Sequence, residues 1–322
     1  MQAVVLERYG LDALELKRVP KPALKANQCL VRVHAASIND WDWEILRGAP
    51  INRLMSGLFA PRVKILGCDV AGRVEAVGRD VRAFKPGDEV FGDLCMAGFG
   101  AFAEYVAAPE RALALKPPGM TFVEAAAIPQ AGMLAVQGLI DVGRLRSGQK
   151  VLLNGAGGGV GTFALQLAKL HDDVEVTAVD SAAKRDLLRK LGADHVIDYA
   201  REDFTKGARR YDLILDVKTR HSPLALARAL KPGGIYATVG GTIPRLLQFA
   251  ALAGSISWTT GKQFKIVILK PNKDLAYLSD LFAQGKLRPI IDGPYKLNDI
   301  CEAFRRFGKA EHKGKIVVTA EQ

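Results

Sequence analysis

The sequence is poor in the residues that build metal centres and disulfide frameworks. It has 4 cysteines and 5 histidines in 322 residues. The cysteines are Cys29, Cys68, Cys95 and Cys301, and no two of them form a C-x-x-C pair. The histidines form no credible ligand set with them. This scarcity argues against a disulfide framework and a cysteine-rich zinc lobe, and it favours reduced, structural thiols.

Long apolar runs are also missing. The most apolar later stretch, LLQFAALAG at 246–254, is far too short to span a bilayer. The first ten residues carry acidic and basic side chains and lack the basic start and apolar core of a signal peptide. We therefore expect a cytoplasmic protein with no membrane span. We interpret 246–254 as a buried helix, with a lid, an oligomer contact and a membrane-surface helix as the alternatives.

Acidic residues are fewer than basic ones. The chain has 45 Lys and Arg against 34 Asp and Glu, a formal net charge of +11. Such a surface usually consists of solvated lysines, and it also attracts anionic ligands such as nucleotides. No arrangement matches a nucleic-acid-binding motif, so we expect no nucleic-acid partner.

Along the chain, the pattern changes from strand-like to alternating. Up to about residue 120, short β-branched runs punctuated by glycine and proline predict a compact β-rich domain. A helix then begins with Thr121 as N-cap and Glu124 completing a capping box, and Pro129 should break it. From about residue 150, strands alternate with helices, which is typical of a doubly wound parallel sheet in an α/β fold. A helix at 274–285 precedes a helix–strand tail that can return to the first domain.

Five glycines crowd the segment LNGAGGGVG at 153–161, between a strand-like and a helix-like run. In this context a G-x-G-x-x-G frame binds a pyrophosphate. The frame places alanine at its first position, Gly158 where the phosphate comes close, and Gly161 where the helix packs on the strand. The N–H groups of the helix then point at the phosphates. The residues predicted to bind the dinucleotide here are Ala156, Gly157, Gly158, Gly159, Val160 and Gly161.

The choice between NADH and NADPH stays open at this point. Asp180 ends the second strand of the unit, where an acid normally accepts a hydrogen bond from the ribose 2′-hydroxyl and favours NAD. Lys184 and Arg185 follow within one helical turn and are able to hold a 2′-phosphate. For NADPH to bind well, Asp180 must turn away or be neutralised by those cations.

Six further segments of the chain carry a family resemblance. They are AASINDWDWEILRG, ILGCDVAGRVEAVGRDVRAFKPGDEVFG, GAFAEYVAAPERALALKPPGMTFVEAAAIPQAGMLA, LGADHVIDY, LKPGGIYATVGG and HKGKIVV. These segments resemble the medium-chain dehydrogenase/reductase superfamily, and in particular its zinc-free quinone oxidoreductase branch. The resemblance implies a GroES-like catalytic domain, residues 1–122 completed by 272–322, and a Rossmann domain, residues 123–271, with the active site in the cleft between them.

The resemblance also implies that no zinc is bound. Zinc alcohol dehydrogenases of this superfamily hold the catalytic metal with a Cys, a His and a second Cys. The matching positions here are Asn39, Cys68 and Ala131, which do not supply three ligands. Without a Lewis acid, a conjugated C=C is the easier substrate, because the developing charge spreads onto the carbonyl oxygen.

The resemblance places three candidate catalytic residues in one short segment. Asn39 matches a position that lines the cleft near the nicotinamide and substrate, and it also suits a helix N-cap. Asp42 is interpreted as a structural hydrogen-bond acceptor rather than a proton donor. Trp41 and Trp43 wall a pocket for a flat substrate, or else pack in the core.

Further cofactor contacts are carried over from the family. Lys184 and Tyr199 match positions near the adenosine 2′ end, and 239–241 match positions near the nicotinamide. Val217 replaces a polar residue that some relatives have. The remaining predicted cofactor-binding residues are Asp180, Ser181, Lys184, Tyr199, Val217, Val239, Gly240 and Gly241.

Together these features predict an NAD(P)H-dependent, zinc-independent reductase of quinones or α,β-unsaturated carbonyls, acting on a small-molecule substrate. One alternative is a zinc-free oxidoreductase that acts on another carbonyl or alcohol. The other is a non-catalytic nucleotide- or RNA-binding relative. Family habit suggests a homodimer, formed through the strand FKIVIL at 264–269.

Overall fold

The strand-like and helix-like segments fold into two units. The computed structural model describes residues 1–241 and 243–320; Thr242 and the last two residues of the predicted 272–322 segment lie outside them. The first unit comprises 1–133 and 270–320, and the second comprises 134–269.

The strands are β1 (Gln2–Leu6), β2 (Leu14–Arg18), β3 (Gln28–Ser37), β4 (Asp69–Val77), β5 (Glu89–Asp93), β6 (Tyr105–Pro109), β7 (Ala114–Leu115), β8 (Lys150–Asn154), β9 (Glu175–Asp180), β10 (His195–Asp198), β11 (Tyr211–Asp216), β12 (Leu230–Thr238), β13 (Gln263–Ile266), β14 (Ile291–Lys296) and β15 (Lys315–Thr319). The α-helices are α1 (Asp40–Arg47), α2 (Pro50–Ser56), α3 (Phe122–Ala127), α4 (Pro129–Val136), α5 (Gly159–Ala168), α6 (Arg185–Lys190), α7 (Pro223–Ala229), α8 (Ile243–Thr260), α9 (Leu275–Ala283) and α10 (Ile300–Gly308). A π-helix, Gln137–Val142, continues α4.

The first unit is built on β3, its longest strand. The sheet order is β14-β15-β3-β4-β5-β7, and β6 also pairs with β3. The pairs are antiparallel except β14 with β15. The C-terminal strand therefore completes the sheet of the N-terminal domain, with Val317 opposite Ser37. Apolar side chains of β3 and β4 form the core, together with Phe304 of α10.

The second unit is an all-parallel sheet in the order β10-β9-β8-β11-β12-β13. The chain moves outward from β8 in one direction to β10, then returns to β11 and moves outward in the other direction. The direction therefore reverses between β8 and β11, and ligands of such sheets bind outside the carboxyl ends of the strands at this point. Leu152, Ile214 and Tyr236 lie in its buried core.

The local signals at the start of α3 are confirmed. Thr121 Oγ1 accepts from the Glu124 N–H at 3.2 Å, and Glu124 Oε2 accepts from the Thr121 N–H at 2.9 Å. This capping box begins α3, which ends at Ala127, and α4 begins at Pro129. Because α3 packs against β3 and β4, the first unit runs on to Met133.

The expectation of a buried helix at 246–254 is wrong. The segment lies in α8, where Phe249 is buried but Leu247 is 65% exposed. Further along the same helix, Trp258 is 89% exposed. Only one side of α8 packs on the unit. Its outward side also carries apolar residues, and these are exposed. Among the described residues, no helix combines the length and the apolarity that crossing a bilayer requires.

Candidate functional site at the carboxyl edge of the second unit

The glycine-rich segment forms a tight turn from β8 into α5. Gly155 adopts φ +83°, a conformation that glycine reaches without strain. The N–H groups of Gly155 and Ala156 donate to the carbonyl of Val179 at 2.9 and 3.1 Å, which fixes the turn on β9. Gly158 is the N-cap of α5. The following N–H groups open a helix of ten residues and lack intrahelical acceptors, so they are suited to an anion.

Two glycines of the turn have no room for a side chain. A Cβ at Gly161 would lie 2.3 Å from the Gly155 carbonyl oxygen, so the first turn of α5 packs directly on the loop backbone. A Cβ at Gly157 would lie 2.5 Å from Cδ of Lys184. The absence of side chains therefore brings the helix start, the turn and Lys184 close together.

Asp180 and Lys184 form a buried pair next to this turn. Lys184 Nζ lies 3.3 Å from Asp180 Oδ1, and their side chains are 5% and 8% exposed. Asp180 Oδ2 accepts from the Gly157 N–H at 2.8 Å, and Oδ1 accepts from the Ser181 N–H at 2.8 Å. Both carboxylate oxygens of Asp180 thus hold the local backbone, and its negative charge is compensated by Lys184.

The other predicted cofactor contacts lie at the ends of neighbouring strands. Tyr199 follows β10, is 57% exposed, and donates its N–H to the carbonyl of Asp180 at 3.3 Å. Val217 follows β11, and its N–H donates to the carbonyl of Asn154 at 3.0 Å. Residues 239–241 follow β12, and a Cβ at Gly240 would meet no atom within 4 Å. The structure therefore brings the whole predicted set to one edge of the sheet.

Asp216, which the sequence analysis did not single out, connects three of these strand ends. Its side chain is fully buried at the end of β11. One carboxylate oxygen accepts from Asn154 Nδ2 at 2.8 Å and from the Thr219 N–H at 2.8 Å. The other accepts from the Tyr236 hydroxyl at 2.9 Å. Because Asn154 directly precedes the glycine turn, the carboxylate of Asp216 ties that turn to β11 and β12.

A second hydrogen-bonded group extends from Asp216 to the loop after β12. The hydroxyls of Thr219 and Thr238 lie 2.6 Å apart. Thr238 Oγ1 lies 2.5 Å from the carbonyl oxygen of Gly240, to which Thr219 Oγ1 also donates. Residues 217–219 and 239–241 are therefore held in a fixed relation to each other. An acidic residue at the carboxyl end of a buried strand was the available signal for this group.

In the first unit, Asn39 belongs to a closed polar cluster around Lys315. Lys315 Nζ donates to Asn39 Oδ1 at 2.5 Å and to the Ile38 carbonyl at 3.0 Å, and it lies 3.2 Å from Asp69 Oδ2. The same oxygen of Asp69 accepts from Asn39 Nδ2 at 2.9 Å and from Ser37 Oγ at 2.7 Å. Both ends of the Asn39 amide are thus engaged within the protein.

Asp42 is completely buried at the start of α1. It accepts from the N–H groups of Asn39 and Gly67 at 2.9 and 2.8 Å, and Cys68 Sγ lies 3.7 Å from its Oδ1. Burial raises the pKa of Asp42 to about 7, although these two backbone hydrogen bonds act in the opposite direction. Asp42 therefore fixes the entry of the chain into α1.

Asp93 forms a third buried acid of this region, at the end of β5. It accepts from the Cys95 N–H at 2.8 Å, and Gln130 Nε2 lies 3.4 Å away. Burial, together with the neighbouring charge of Asp69, raises the pKa of Asp93 to about 6. Asp42 and Asp93 are therefore buried acids near Asp69, which is the carboxylate that contacts Lys315.

The side chains at the positions where relatives hold catalytic zinc do not fit that ion. Cys68 supplies one thiol, whereas catalytic zinc needs three protein ligands. Burial, with the charges of Asp42 and Asp93, raises the pKa of this thiol well above its usual value. The Asn39 amide is engaged with Asp69 and Lys315, and Ala131 has no donor atom. Within residues 1–241 and 243–320, no group of three His, Cys, Asp or Glu side chains is arranged to hold a metal ion.

The two tryptophans of α1 face different surroundings. Trp41 is 49% exposed, whereas Trp43 is half-buried against Phe304 and Phe307, with ring centroids 6.4 and 6.1 Å apart. Trp43 therefore packs in the protein, where it also borders a cavity together with Leu11 and Arg47. Trp41 is the more exposed of the two tryptophans of α1.

Two family models match the chain. One describes an alcohol dehydrogenase GroES-like domain and matches residues 25–118. The other describes a zinc-binding dehydrogenase and matches residues 191–318. The first lies within the first unit, and the second spans the later strands of the second unit and the C-terminal part of the first.

Relatives with both units are found among curated proteins and solved structures. A 2-methylene-furan-3-one reductase of Solanum lycopersicum is 32% identical, over 99% of this chain and 79% of its own length. An NADPH-dependent alkenal/one oxidoreductase of Arabidopsis thaliana is also 32% identical, with the same coverages. The structure of the quinone oxidoreductase from Coxiella burnetii has a TM-score of 0.87 and 28% identity, covering 100% of this chain and 99% of that one.

Proposed function

Since this chain belongs to the medium-chain dehydrogenase/reductase superfamily, we propose that it reduces quinones or α,β-unsaturated carbonyls with NAD(P)H. The observation that carries the proposal is the carboxyl edge of the second unit, where the glycine turn, the Asp180–Lys184 pair and the 239–241 loop come together. A nicotinamide cofactor bound there supplies the hydride. The protein residues bind the phosphates, fix the loops and orient the reactants.

We propose that the reaction needs no zinc. The support is the set of donor atoms at the corresponding positions: one thiol, an engaged amide and a methyl group do not supply the three ligands that catalytic zinc needs. A conjugated carbonyl needs less activation than an alcohol, since conjugation delocalises the charge that develops on reduction. Activity that survives dialysis against a chelator is expected, and activity restored only by added Zn²⁺ would contradict this part of the proposal.

We propose that NADPH is preferred over NADH. Asp180 uses both oxygens on the backbone of the turn and is paired with Lys184, so it neither offers a free acceptor to a 2′-hydroxyl nor repels a 2′-phosphate strongly. Ser181, Lys184 and the exposed Tyr199 lie at the same strand ends and are suited to contact the 2′-phosphate. NADPH is therefore expected to raise the melting temperature more than NADH at equal concentration.

The adenosine fragments test this preference without any reaction. We expect 2′,5′-ADP to bind more tightly than ADP, and Lys184→Met to remove that difference. Glu175→Gln is a matched charge-changing control, because Glu175 pairs with Lys150 and His195 at the other end of β9. Equal binding of both fragments to the unaltered protein would contradict the proposed preference.

For the substrate, we propose that Trp41 makes contact and that Asn39 and Asp42 position it. The support is the half-exposed ring of Trp41 and the hydrogen bonds of Asn39 and Asp42 at the start of α1. Trp41→Ala is expected to raise KM for an aromatic quinone about tenfold, the loss of one aromatic contact. Trp258→Ala, an exposed tryptophan in the other unit, should leave KM unchanged.

The direct test of the activity is oxidation of NADPH and NADH by the purified chain across a panel of quinones, enones, aldehydes and alcohols. We expect turnover with the conjugated substrates. Turnover with a simple aldehyde or alcohol alone would favour the alternative zinc-free oxidoreductase. No turnover, with salt-dependent RNA retention under saturating cofactor, would favour the non-catalytic alternative.

We also propose a cytoplasmic homodimer that pairs through β13. The support is that β13 is an edge strand among the described residues, that it ends at the exposed Ile266, and that the exposed Ile268 follows. Such an edge offers unpaired backbone groups to a second strand. Sedimentation should give twice the chain mass, and Ile268→Lys should shift the protein toward the monomer.

A further inference from the structure

Helix α8 has an apolar face toward the solvent, and the proposed reaction gives this face no role. Leu247, Ala251 and Trp258 are spaced by four and seven residues, so they lie on one side of the helix. All three are exposed, Trp258 to 89%. The buried side chains Phe249 and Ile256 lie on the other side. An outward side made of leucine and tryptophan marks an interaction surface.

The stretch of sequence that contains α8 carries charge of one sign only. Between Asp216 and Asp274 the sequence contains no aspartate or glutamate, although the whole chain has 34. The only charged residue of α8 is Arg245. The basic residues of the second unit in this stretch are Lys218, Arg220, Arg228, Lys231, Arg245, Lys262 and Lys265.

Hydrogen bonds place several of these cations at the two ends of α8. Near its start, Arg245 donates to the carbonyl of Arg220 at 3.0 Å, and Arg220 is exposed. Just after its end, Lys262 donates to the carbonyl of Ala227 at 2.6 Å, next to the exposed Arg228 at the end of α7. Basic residues therefore lie near both ends of α8.

We propose that α8 binds the surface of an anionic lipid bilayer. Leu247, Ala251 and Trp258 would enter the headgroup region, while the flanking cations bind lipid phosphates, the arrangement of an interfacial amphipathic helix. A second copy of this chain would bring its own cations against the same cations. A nucleic acid complements the charge but offers no surface for leucine. An anionic bilayer complements both properties.

Vesicle sedimentation with the full chain tests the proposal. With phosphatidylcholine vesicles containing phosphatidylglycerol, we expect the protein to sediment and its tryptophan fluorescence to shift to shorter wavelength. With phosphatidylcholine alone, or in 0.5 M NaCl, sedimentation should fall at least tenfold, because the attraction to the lipid charges is lost or screened. Trp258→Phe should abolish the fluorescence shift, which assigns it among the three tryptophans.

Single substitutions then separate the apolar contribution to membrane binding from the electrostatic one. Trp258→Gln is expected to lower partitioning about tenfold, and Arg228→Gln about fivefold, near the effect of one basic residue at an anionic surface. Phe59→Gln is the matched control, because Phe59 is also 89% exposed but lies in the first unit. It should leave partitioning unchanged. Melting temperatures should stay the same, since all three side chains are exposed.

Three results would overturn the proposal. The first is equal sedimentation with neutral and anionic vesicles. The second is no sedimentation with either. The third is self-association without vesicles that Trp258→Gln removes, which would assign the face to a second copy. These readouts do not depend on turnover, so they stand whether or not the proposed reaction is found.

Discussion

Each unit contains buried aspartates that form hydrogen bonds within that unit, but the partners of these aspartates differ between the two units. In the first unit, Asp42, Asp69 and Asp93 lie in one region with Lys315 as its cation. In the second unit, Asp180 has Lys184 beside it, and Asp216 is surrounded by backbone, amide and hydroxyl donors. The first arrangement leaves excess carboxylate charge in a closed interior, whereas the second uses each carboxylate to fix a loop at an open edge. The first unit should therefore respond to protons, and the second to a bound ligand.

Removing the cation of the first unit should have the largest effect. Lys315→Met leaves Asp69, which is fully buried, without its positive partner. We expect the free energy of unfolding to fall by about 3–5 kcal/mol at neutral pH, as for other broken buried ion pairs. Chemical denaturation measures this.

The double variant Asp69→Asn with Lys315→Met is the control for charge. It should recover part of the loss, since no buried carboxylate remains unpaired there. A loss below 1 kcal/mol in the single variant would show that hydrogen bonds from Ser37 and Asn39 alone suffice for Asp69.

A side chain added at the glycine turn should cause the second-largest loss of stability. Gly161→Ala places a Cβ 2.3 Å from the Gly155 carbonyl oxygen, and neither backbone segment can move freely. We expect a loss of about 3 kcal/mol, the upper end for overpacking, together with loss of the thermal shift caused by NADPH. Calorimetry with and without cofactor measures both.

Gly254→Ala is the matched control, because a Cβ at Gly254 in α8 meets nothing within 4 Å. It should stabilise the protein by about 0.5–1 kcal/mol, the usual gain of alanine over glycine in a helix. Unchanged cofactor binding in Gly161→Ala would refute the importance of close packing at the turn.

The pH dependence distinguishes the acids of the first unit. The raised pKa of Asp42, to about 7, means that folding favours its protonated form. Its contribution to stability is full below its unfolded pKa of about 4 and is lost as the pH rises toward 7. We expect Asp42→Asn to reduce the slope of unfolding free energy between pH 5 and 7, by up to about 1.4 kcal/mol per pH unit.

The pKa of Asp292 is shifted in the opposite direction from that of Asp42. Burial raises its pKa, but hydrogen bonds from Arg306, the Lys313 N–H and Tyr295 outweigh burial and hold the pKa below its usual value. Its contribution is therefore present above pH 4 and is lost as the pH falls further. Asp292→Asn should lower the free energy of unfolding at every pH above about 4 and should change its slope with pH only in the acidic range. A change of slope between pH 5 and 7 in both variants would contradict the assignment to Asp42.

The smallest effect is expected at the loop after β12. Thr238→Val removes the hydroxyl that bonds the Gly240 carbonyl, at a cost of about 1 kcal/mol. Because 239–241 is the loop proposed to contact the nicotinamide, kcat should fall about tenfold while binding of 2′,5′-ADP stays unchanged. Thr177→Val, at another buried threonine of the same sheet, should cost similar stability without lowering kcat.

The sequence predicts the parts of this fold that depend on neighbours in the chain. The glycine turn, the capping box at Thr121 and the alternation of strands and helices are local patterns, and the structure confirms each of them as an element of the fold. The cofactor set could be predicted because parallel strands end at one edge, so each strand end adds a contact. The individual roles of those residues stay predictions.

The polar cluster could not be predicted in the same way. Lys315 reaches Asn39 across 276 positions of sequence, through the pairing of β15 with β3. No local pattern specifies that contact. The exposed side of α8 was missed for a related reason. Its apolar residues suggested burial, but burial also requires a partner surface, which a sequence pattern does not supply.

The pairing of β15 with β3 also sets an order of events during synthesis. The second unit is one continuous segment, 134–269, and all its strands in the described residues are synthesised before β14 and β15. The first unit lacks two strands of its sheet until then, and Asp69 lacks its lysine. The second unit can therefore complete its sheet before the first unit does. The N-terminal strands stay partly unpaired until β14 and β15 are synthesised.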